Sequence, residues 1–453
     1  MSASVAMERR LSWPRLVRLG MVQAAIGAVV VLMTSTMNRV MVVELGLLAA
    51  IPGALVAMHF AVQLVLRPQL GHASDRARRR TPWILGGMVV LGVGGVLVAL
   101  GVALAERMRM AGLALSALGF LLLGAGVSGA GTPLLALISE ESAPEQKPIA
   151  AATTWILMII GFVVTAISSG ALLDPFSMER LVAVTAGVAA VAFVIAVLGV
   201  VGNETQPHRV RGPATDTAAG AELGAPGFRM ALDLVWHEPG ARLFAIFVFV
   251  AMLGYSAQDL ILEPFGGVVF GLTPGESTKL AGTQHGGVLL GMIATALIGT
   301  RHGELRSWAA AGCAASTLAY VALCLSPLGV SIPVFKVMVF ALGVANGVFA
   351  IGAIGSMMAR SGDANDGRAG LRLGVFGAAQ AVAYAIGGFA GAAGVDVGRR
   401  LLDSTLGGYV AVFAVEGVLF AAAAWLAWRS GSAQVGGRVI ETRAELLPAA
   451  VHG

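Results

Sequence analysis

Twelve times in 453 residues the chain turns apolar for about twenty residues and then breaks at a polar loop. A helix of about 20 apolar residues crosses the roughly 30 Å of hydrocarbon in a bilayer. Inside lipid, only a helix or a closed barrel satisfies its own backbone. These runs lack the ten-residue alternation of barrel strands, so helices are predicted. They fall near 17–41, 47–67, 83–104, 111–138, 149–172, 181–201, 242–263, 277–299, 307–326, 332–358, 371–395 and 408–428. Only 12% of residues are charged, about half the share in soluble domains. The expected fold is an all-α polytopic membrane protein.

The one long hydrophilic link, 202–241, divides the chain into a six-helix half at 1–201 and another at 242–428, with a tail at 429–453. Within the link, Phe228–Pro239, carrying Trp236 and His237, reads as a short piece lying in the membrane interface. The tail, ending Leu446-Leu447-Pro448-Ala449-Ala450, reads as cytoplasmic and mobile. Arg9-Arg10 precede an apolar run too long for a signal-peptide core, so the first span reads as uncleaved.

The net charge of +5 reflects loops rather than a nucleic-acid partner. With the N-terminus inside, most of the 30 Lys and Arg residues fall on the cytoplasmic side, and both termini are predicted there. Gly124-Ala125-Gly126-Val127-Ser128-Gly129 spells a dinucleotide fingerprint but sits inside a span, not at a strand-to-helix turn. None of the three lysines belongs to a phosphate loop, which argues against ATP. Cys313 and Cys324 share one span and imply no disulfide framework. The 61 glycines read as close helix packing.

Two runs place charge where lipid disfavours it: Asn38-Arg39 to Glu44 closing the first span, and Gln258-Asp259 to Glu263 closing the seventh. Arg39 lies about 32 Å along the helix from Arg18, near the far interface, and Asp259 about 26 Å from Arg242. Asp259 and Glu263 share a helical face, whereas Arg39 and Glu44 point more divergently. An ion pair between the halves, Arg39 to Asp259 with Glu263 or Glu44 as second acceptor, is expected; the competing reading is that each charge snorkels to the interface. Spans three to five hold no titratable group and span ten only Lys336, which counts against ion-coupled antiport. His59 with Gln63, and His285 beside Gln284, sit in apolar surroundings; each imidazole could ligate the magnesium of a chlorin ring or bond a neighbouring helix. No His/Cys/carboxylate cluster suggests a catalytic metal, and no Ser-His-Asp set is apparent.

After span two, Gly71, Asp75, Arg76 and the basic run to Arg80 resemble the cytoplasmic signature of the major facilitator superfamily, a charge latch at helix ends. Arg301-His302-Gly303-Glu304-Leu305-Arg306 is a degenerate echo in the second half, which fits two pseudo-symmetric halves.

More specific is Gln258-Asp259-Leu260-Ile261-Leu262-Glu263-Pro264-Phe265-Gly266-Gly267-Val268-Val269-Phe270-Gly271, followed by Pro274-Gly275-Glu276-Ser277-Thr278. Asn38 to Gly46, Ser74-Asp75 leading to Arg80-Thr81-Pro82, Ala143-Pro144-Glu145 and Gly374 to Gln380 accompany it. The chain resembles the PucC/LhaA-type light-harvesting complex assembly proteins of phototrophic bacteria, a branch of that superfamily. The resemblance implies a non-enzymatic assembly factor of the inner, intracytoplasmic photosynthetic membrane. Its partners would be antenna polypeptides and bacteriochlorophyll, bound or delivered. A transporter or flippase of a tetrapyrrole or another amphipathic solute is the alternative. The short, highly basic loop from Gly71 to Thr81 departs from the longer one of many members.

Overall fold

The computed structural model describes residues 11–77, 79–143, 146–204, 236–237, 239–299, 304–362 and 369–445. Phe228 to Val235 of the expected interfacial piece, Pro144-Glu145, Arg301 to Gly303 and the tail from Leu446 lie outside them. Among the described residues, twelve helices are long and apolar enough to cross a membrane. They are α1 Trp13–Glu44, α2 Ala50–Asp75, α3 Thr81–Ala105, α4 Arg109–Glu141, α5 Lys147–Leu172 and α6 Met178–Val200. The second half contributes α7 Pro239–Phe270, α8 Pro274–Ile298, α9 Leu305–Leu325, α10 Ile332–Gly362, α11 Ala369–Leu401 and α12 Thr405–Glu445. The last helix runs past Arg429, where hydropathy ends the span, because helix formation does not need an apolar sequence outside lipid. Likewise α7 continues through Pro264 to Phe270 instead of stopping near 263.

Each half is a bundle with its own core. Leu19, Val22, Leu91, Val98 and Leu134 are among the buried residues of the first. The second is aromatic: Phe265 packs edge-on against Phe413 at 5.0 Å and Phe270 stacks on Phe335 at 4.1 Å. Many glycines act through absence of a side chain. Gly87, Gly94 and Gly101 of α3 recur every seven residues; Gly94 and Gly101 oppose Gly119 and Gly112 of α4, and Gly87 meets Gly129 and Ala130. A Cβ at Gly87 would lie 2.3 Å from the Ala130 nitrogen, and one at Gly126 would lie 2.4 Å from that of Leu91. Close approach of backbones supplies the packing that lipid does not drive.

The halves meet along two helix pairs, α2 with α11 and α5 with α8, and the end of α1 reaches α7 and α8. Ile159 of α5 packs on Val288 and Met292 of α8. At the end bearing the α1–α2 and α7–α8 turns, the seam is tight: a Cβ on Gly275 would fall 2.5 Å from the Gly170 carbonyl. That end carries the first group of candidate residues.

Candidate functional site

The first helix changes pitch as it nears the seam. After Val31 it runs through two π-helical turns, Leu32–Met37 and Val40–Glu44, which insert extra residues and occur frequently at functional sites. They bury Ser35, Thr36, Asn38 and Arg39 against the other half. The Asn38 amide donates to the Leu260 carbonyl of α7 at 2.6 Å, and Arg39 Nη2 to the Leu272 carbonyl at 2.6 Å. Thr36 and Thr278 hydroxyls meet at 2.9 Å. Thr278 donates its own proton to the Pro274 carbonyl, so Thr36 donates to Thr278. On the other seam, Asp396 of α11 accepts from the backbone nitrogens of Ala49 and Ala50 at 3.1 and 2.8 Å. It thereby caps α2, which has no capping side chain of its own. Gly267 leaves room for the guanidinium, since a Cβ there would lie 3.1 Å from Arg39 Nη2.

The expected Arg39–Asp259 pair does not form: Arg39 pairs with Glu44. The reason is the pitch. In a regular helix residues five apart diverge, but a π turn closes on the fifth residue and brings them over one another. Both ends of that pair lie in α1, so the bond from Arg39 to Leu272, not an ion pair, joins the halves. Glu263 is buried beside Ser35 and within electrostatic reach of Arg39. Asp259 instead faces an aromatic contact between the halves. Tyr255 and Tyr384 rings lie 6.0 Å apart near it, and Tyr384 lies 5.8 Å from Phe60 of α2. Gln258 points the other way, into the second bundle. Its Oε1 accepts from the Tyr320 hydroxyl and, at 3.1 Å, from the Asn346 amide, whose own Oδ1 accepts from Ser316 at 3.0 Å.

The two histidines differ. Gln63 Oε1 accepts from Arg67, which turns its amide nitrogen toward His59 Nε2 at 2.7 Å. An amide N–H can only donate, so that imidazole lone pair is engaged and Nδ1 carries the proton, buried without a partner. His59 therefore offers no lone pair to a metal. The recess it lines with Val30, Met33, Thr34, Phe120 and Leu123 holds essentially no free volume, against the roughly 300–1,000 Å³ of ordinary ligand pockets. His285 does fit a ligand's role: Nδ1 donates to the Ala281 carbonyl at 2.9 Å, leaving the Nε2 lone pair. Phe162 of the other half meets its ring edge-on at 5.0 Å, and the amide nitrogen of buried Gln284 has no partner.

At the other end of the first bundle the latch residues assemble around buried Arg80. Its guanidinium reaches Asp75 at 2.6 Å, Glu140 at 2.7 Å and Ser74 at 2.9 Å; Ser74 donates to the Gly71 carbonyl at 2.8 Å. Burial works against the charge, but the hydrogen bonds and charges of Glu140 and Asp75 outweigh it and raise the Arg80 pKa. Arg76 is exposed. Glu204, which the sequence reading passed over, accepts from the Arg80 and Thr81 nitrogens at 2.7 and 3.1 Å and caps α3.

Also missed was Glu416 of α12. It is 1% exposed and mid-span, in a span that the count of titratable groups in spans three to five and ten did not cover. Among the described residues no three His, Cys, Asp or Glu side chains group as a metal site.

Among the described residues, twelve span-length helices in two clasped bundles give a membrane protein with the fold of the major facilitator class. The fold matches a bacterial homologue of the human lysosomal transporter Spinster, solved inward-facing and unoccupied, with a TM-score of 0.66 at 16% identity over 93% of this chain and 98% of that one. Residues 36–432 match the model of the family described as PUCC protein, and the chain belongs to that family. It is 44% identical to the bacteriochlorophyll synthase 44.5 kDa chain of Rhodobacter capsulatus over 423 residues, 92% of this chain and 95% of that protein. It is 31% identical to Protein PucC of the same organism, over 89% of each chain.

Proposed function

We propose that the chain is a non-enzymatic assembly factor of the photosynthetic membrane that holds bacteriochlorophyll for antenna polypeptides, with both termini cytoplasmic. Membership of the PucC family across nearly the whole chain carries this reading. The donor set supports it at one place. His285 Nε2 would ligate the chlorin magnesium, Phe162 would flank the ring from the other half, and the Gln284 amide would bond to a ring substituent. When bound, the pigment supplies light absorption and an open magnesium coordination site. The protein's part is to shield it from water and to hold it at a seam that both halves share. The name of the 44% identical relative speaks of a synthase, and turnover of a chlorin precursor by the purified chain would overturn the non-enzymatic reading.

The test is purification from a phototrophic host in mild detergent. Chlorin absorbance should co-elute with the chain and with antenna subunits, disappear in His285→Phe, and persist in His59→Phe. A deletion strain that assembles normal amounts of every antenna complex would end the reading. The likeness in fold to solute carriers favours one alternative, a tetrapyrrole transporter or flippase. Solute movement across liposomes by the purified chain, with no effect of deletion on antenna assembly, would select it.

A further inference from the structure

Arg67 of α2 belongs to neither the latch nor the clasp, yet it lies inside a span, eight residues and about 12 Å from Asp75, the end of its helix. A charge within a span rarely persists without a partner or a task. A long cation near a helix end ordinarily stretches toward the interface, and Arg67 does the reverse. Its Nη2 donates to Gln63 Oε1, one turn farther from the latch end, so the guanidinium is held toward the membrane interior. Gln63 in turn donates through its amide nitrogen to His59, which keeps the acceptor oxygen aimed at Arg67. Among the described residues no carboxylate pairs with Arg67, and its one bond leaves most of the guanidinium's N–H groups free to donate.

The bearing of the side chain points it away from lipid. At about 100° per residue, Arg67 lies within roughly 20° of Phe60 and about 160° from Val65, which is 57% exposed on the outer face. Phe60 meets Tyr384 of α11 at 5.8 Å, and a Cβ on Gly53 would touch Ala392 of the same helix at 2.8 Å. The face of α2 that carries Gly53, Phe60 and Arg67 therefore looks at the other half. Along it Gly53 is buried, Phe60 half-buried and Arg67 exposed. Cover from the second half falls away between the clasp end and the latch end, and Arg67 stands on the wall of the cleft that this opens. About 10 Å deeper, the rings of Phe60, Tyr384 and Tyr255 run from α2 across α11 to α7 as an aromatic roof.

We propose that Arg67 is the head-group site for an amphiphile with one oxyanion, carboxylate or phosphate, whose apolar body lies against the Phe60 and Tyr384 rings. The guanidinium fork matches two oxygens of such a group, and a site between the bundles screens the attraction less than bulk water does. A neutral analogue of the same shape leaves the guanidinium without a counter-charge and binds more weakly. A chlorin acid and an anionic phospholipid share this chemistry. The inference does not depend on the pigment reading, which places its ligand at His285.

The experiment titrates the purified full-length chain, in neutral detergent, with pheophorbide a (a magnesium-free chlorin with one free carboxylate) and with its methyl ester, read by fluorescence anisotropy. Without magnesium, neither probe has anything for His285 to ligate. The acid should bind about 10- to 150-fold more tightly than the ester, the range of one bond from a charged donor. Arg67→Gln should bring the two to one affinity, and Arg67→Lys should keep part of the preference. His285→Phe and Arg76→Gln should keep all of it. Displacement of the acid by phosphatidylglycerol, and not by phosphatidylcholine, assigns the head group to a lipid; no displacement by either assigns it to the chlorin acid. A wild type that shows no preference for the acid, or a preference that survives intact in Arg67→Gln, overturns the proposal.

Discussion

Arg39→Met separates the two roles of the clasp. The methionine keeps the length and apolar stem of the arginine and removes both the bond to the Leu272 carbonyl and the pair with Glu44. A hydrogen bond from a charged donor contributes about 1.5–3 kcal/mol net. That bond exists only while the halves meet, so its full value biases the equilibrium between clasped and parted forms. At 1.4 kcal/mol per tenfold, the parted population should rise roughly 10- to 150-fold. The Glu44 pair is internal to α1, and its acidic side chain is 34% exposed. Such a pair adds about 0–1 kcal/mol, and Glu44→Gln should change the population less than about fivefold. Pulsed dipolar spectroscopy can read this, with spin labels at exposed Met110 of the first half and Leu328 of the second, on a background lacking Cys313 and Cys324. A new long-distance component in Arg39→Met, but not in Glu44→Gln, is expected. If Arg39→Met leaves the distribution unchanged, or if both variants part the halves equally, the clasp is not where the structure puts it.

Gly275→Val places a side chain whose first carbon would lie 2.3 Å from an Asp174 carboxylate oxygen and 2.5 Å from the Gly170 carbonyl; the same labels should report a parted seam, and a wild-type distance would contradict the packing. Asp396→Ala uncaps α2 across the other seam and should cost about 0.5–2 kcal/mol, read as a lower melting temperature in detergent together with more parted molecules. Arg80→Ala should lower thermal stability by about 1–3 kcal/mol without moving the labels, because Asp75, Glu140 and Ser74 all belong to the first bundle. Glu204→Ala should lower stability by about 0.5–2 kcal/mol through loss of the α3 cap.

The fold was legible because lipid leaves the backbone so few options: apolar length alone marked every span. What escaped was whatever an average over twenty residues conceals. Glu416 sits in Ala-Val-Phe-Ala-Val-Glu-Gly-Val-Leu-Phe, where one carboxylate scarcely changes the mean hydropathy, yet it is 1% exposed, less than any other described acid of the second bundle. The Arg39–Glu44 pair escaped for a geometric reason, since a 3.6-residue period was applied to a stretch that winds more widely. Asp396 drew no reading from the sequence, because only tertiary structure brings the start of α2 to it. Glu204, at the edge of the long link, reads as solvated until Arg80 and Thr81 are placed beside it. Distinguishing His59 from His285 required hydrogen-bond partners that no spacing in the sequence encodes.

The widened turns of α1 also mark where the chain carries surplus length. A regular helix advances by about 100° per residue, and a π turn absorbs one extra residue without passing that rotation on. Removing one residue between Leu32 and Met37 would let the ladder re-form with Asn38 and Arg39 near their present bearing. The same deletion in the regular stretch Trp13–Val31 would swing both by that angle, away from the Leu260 and Leu272 carbonyls. Angular phase, and not only composition, lets the two bundles recognise one another.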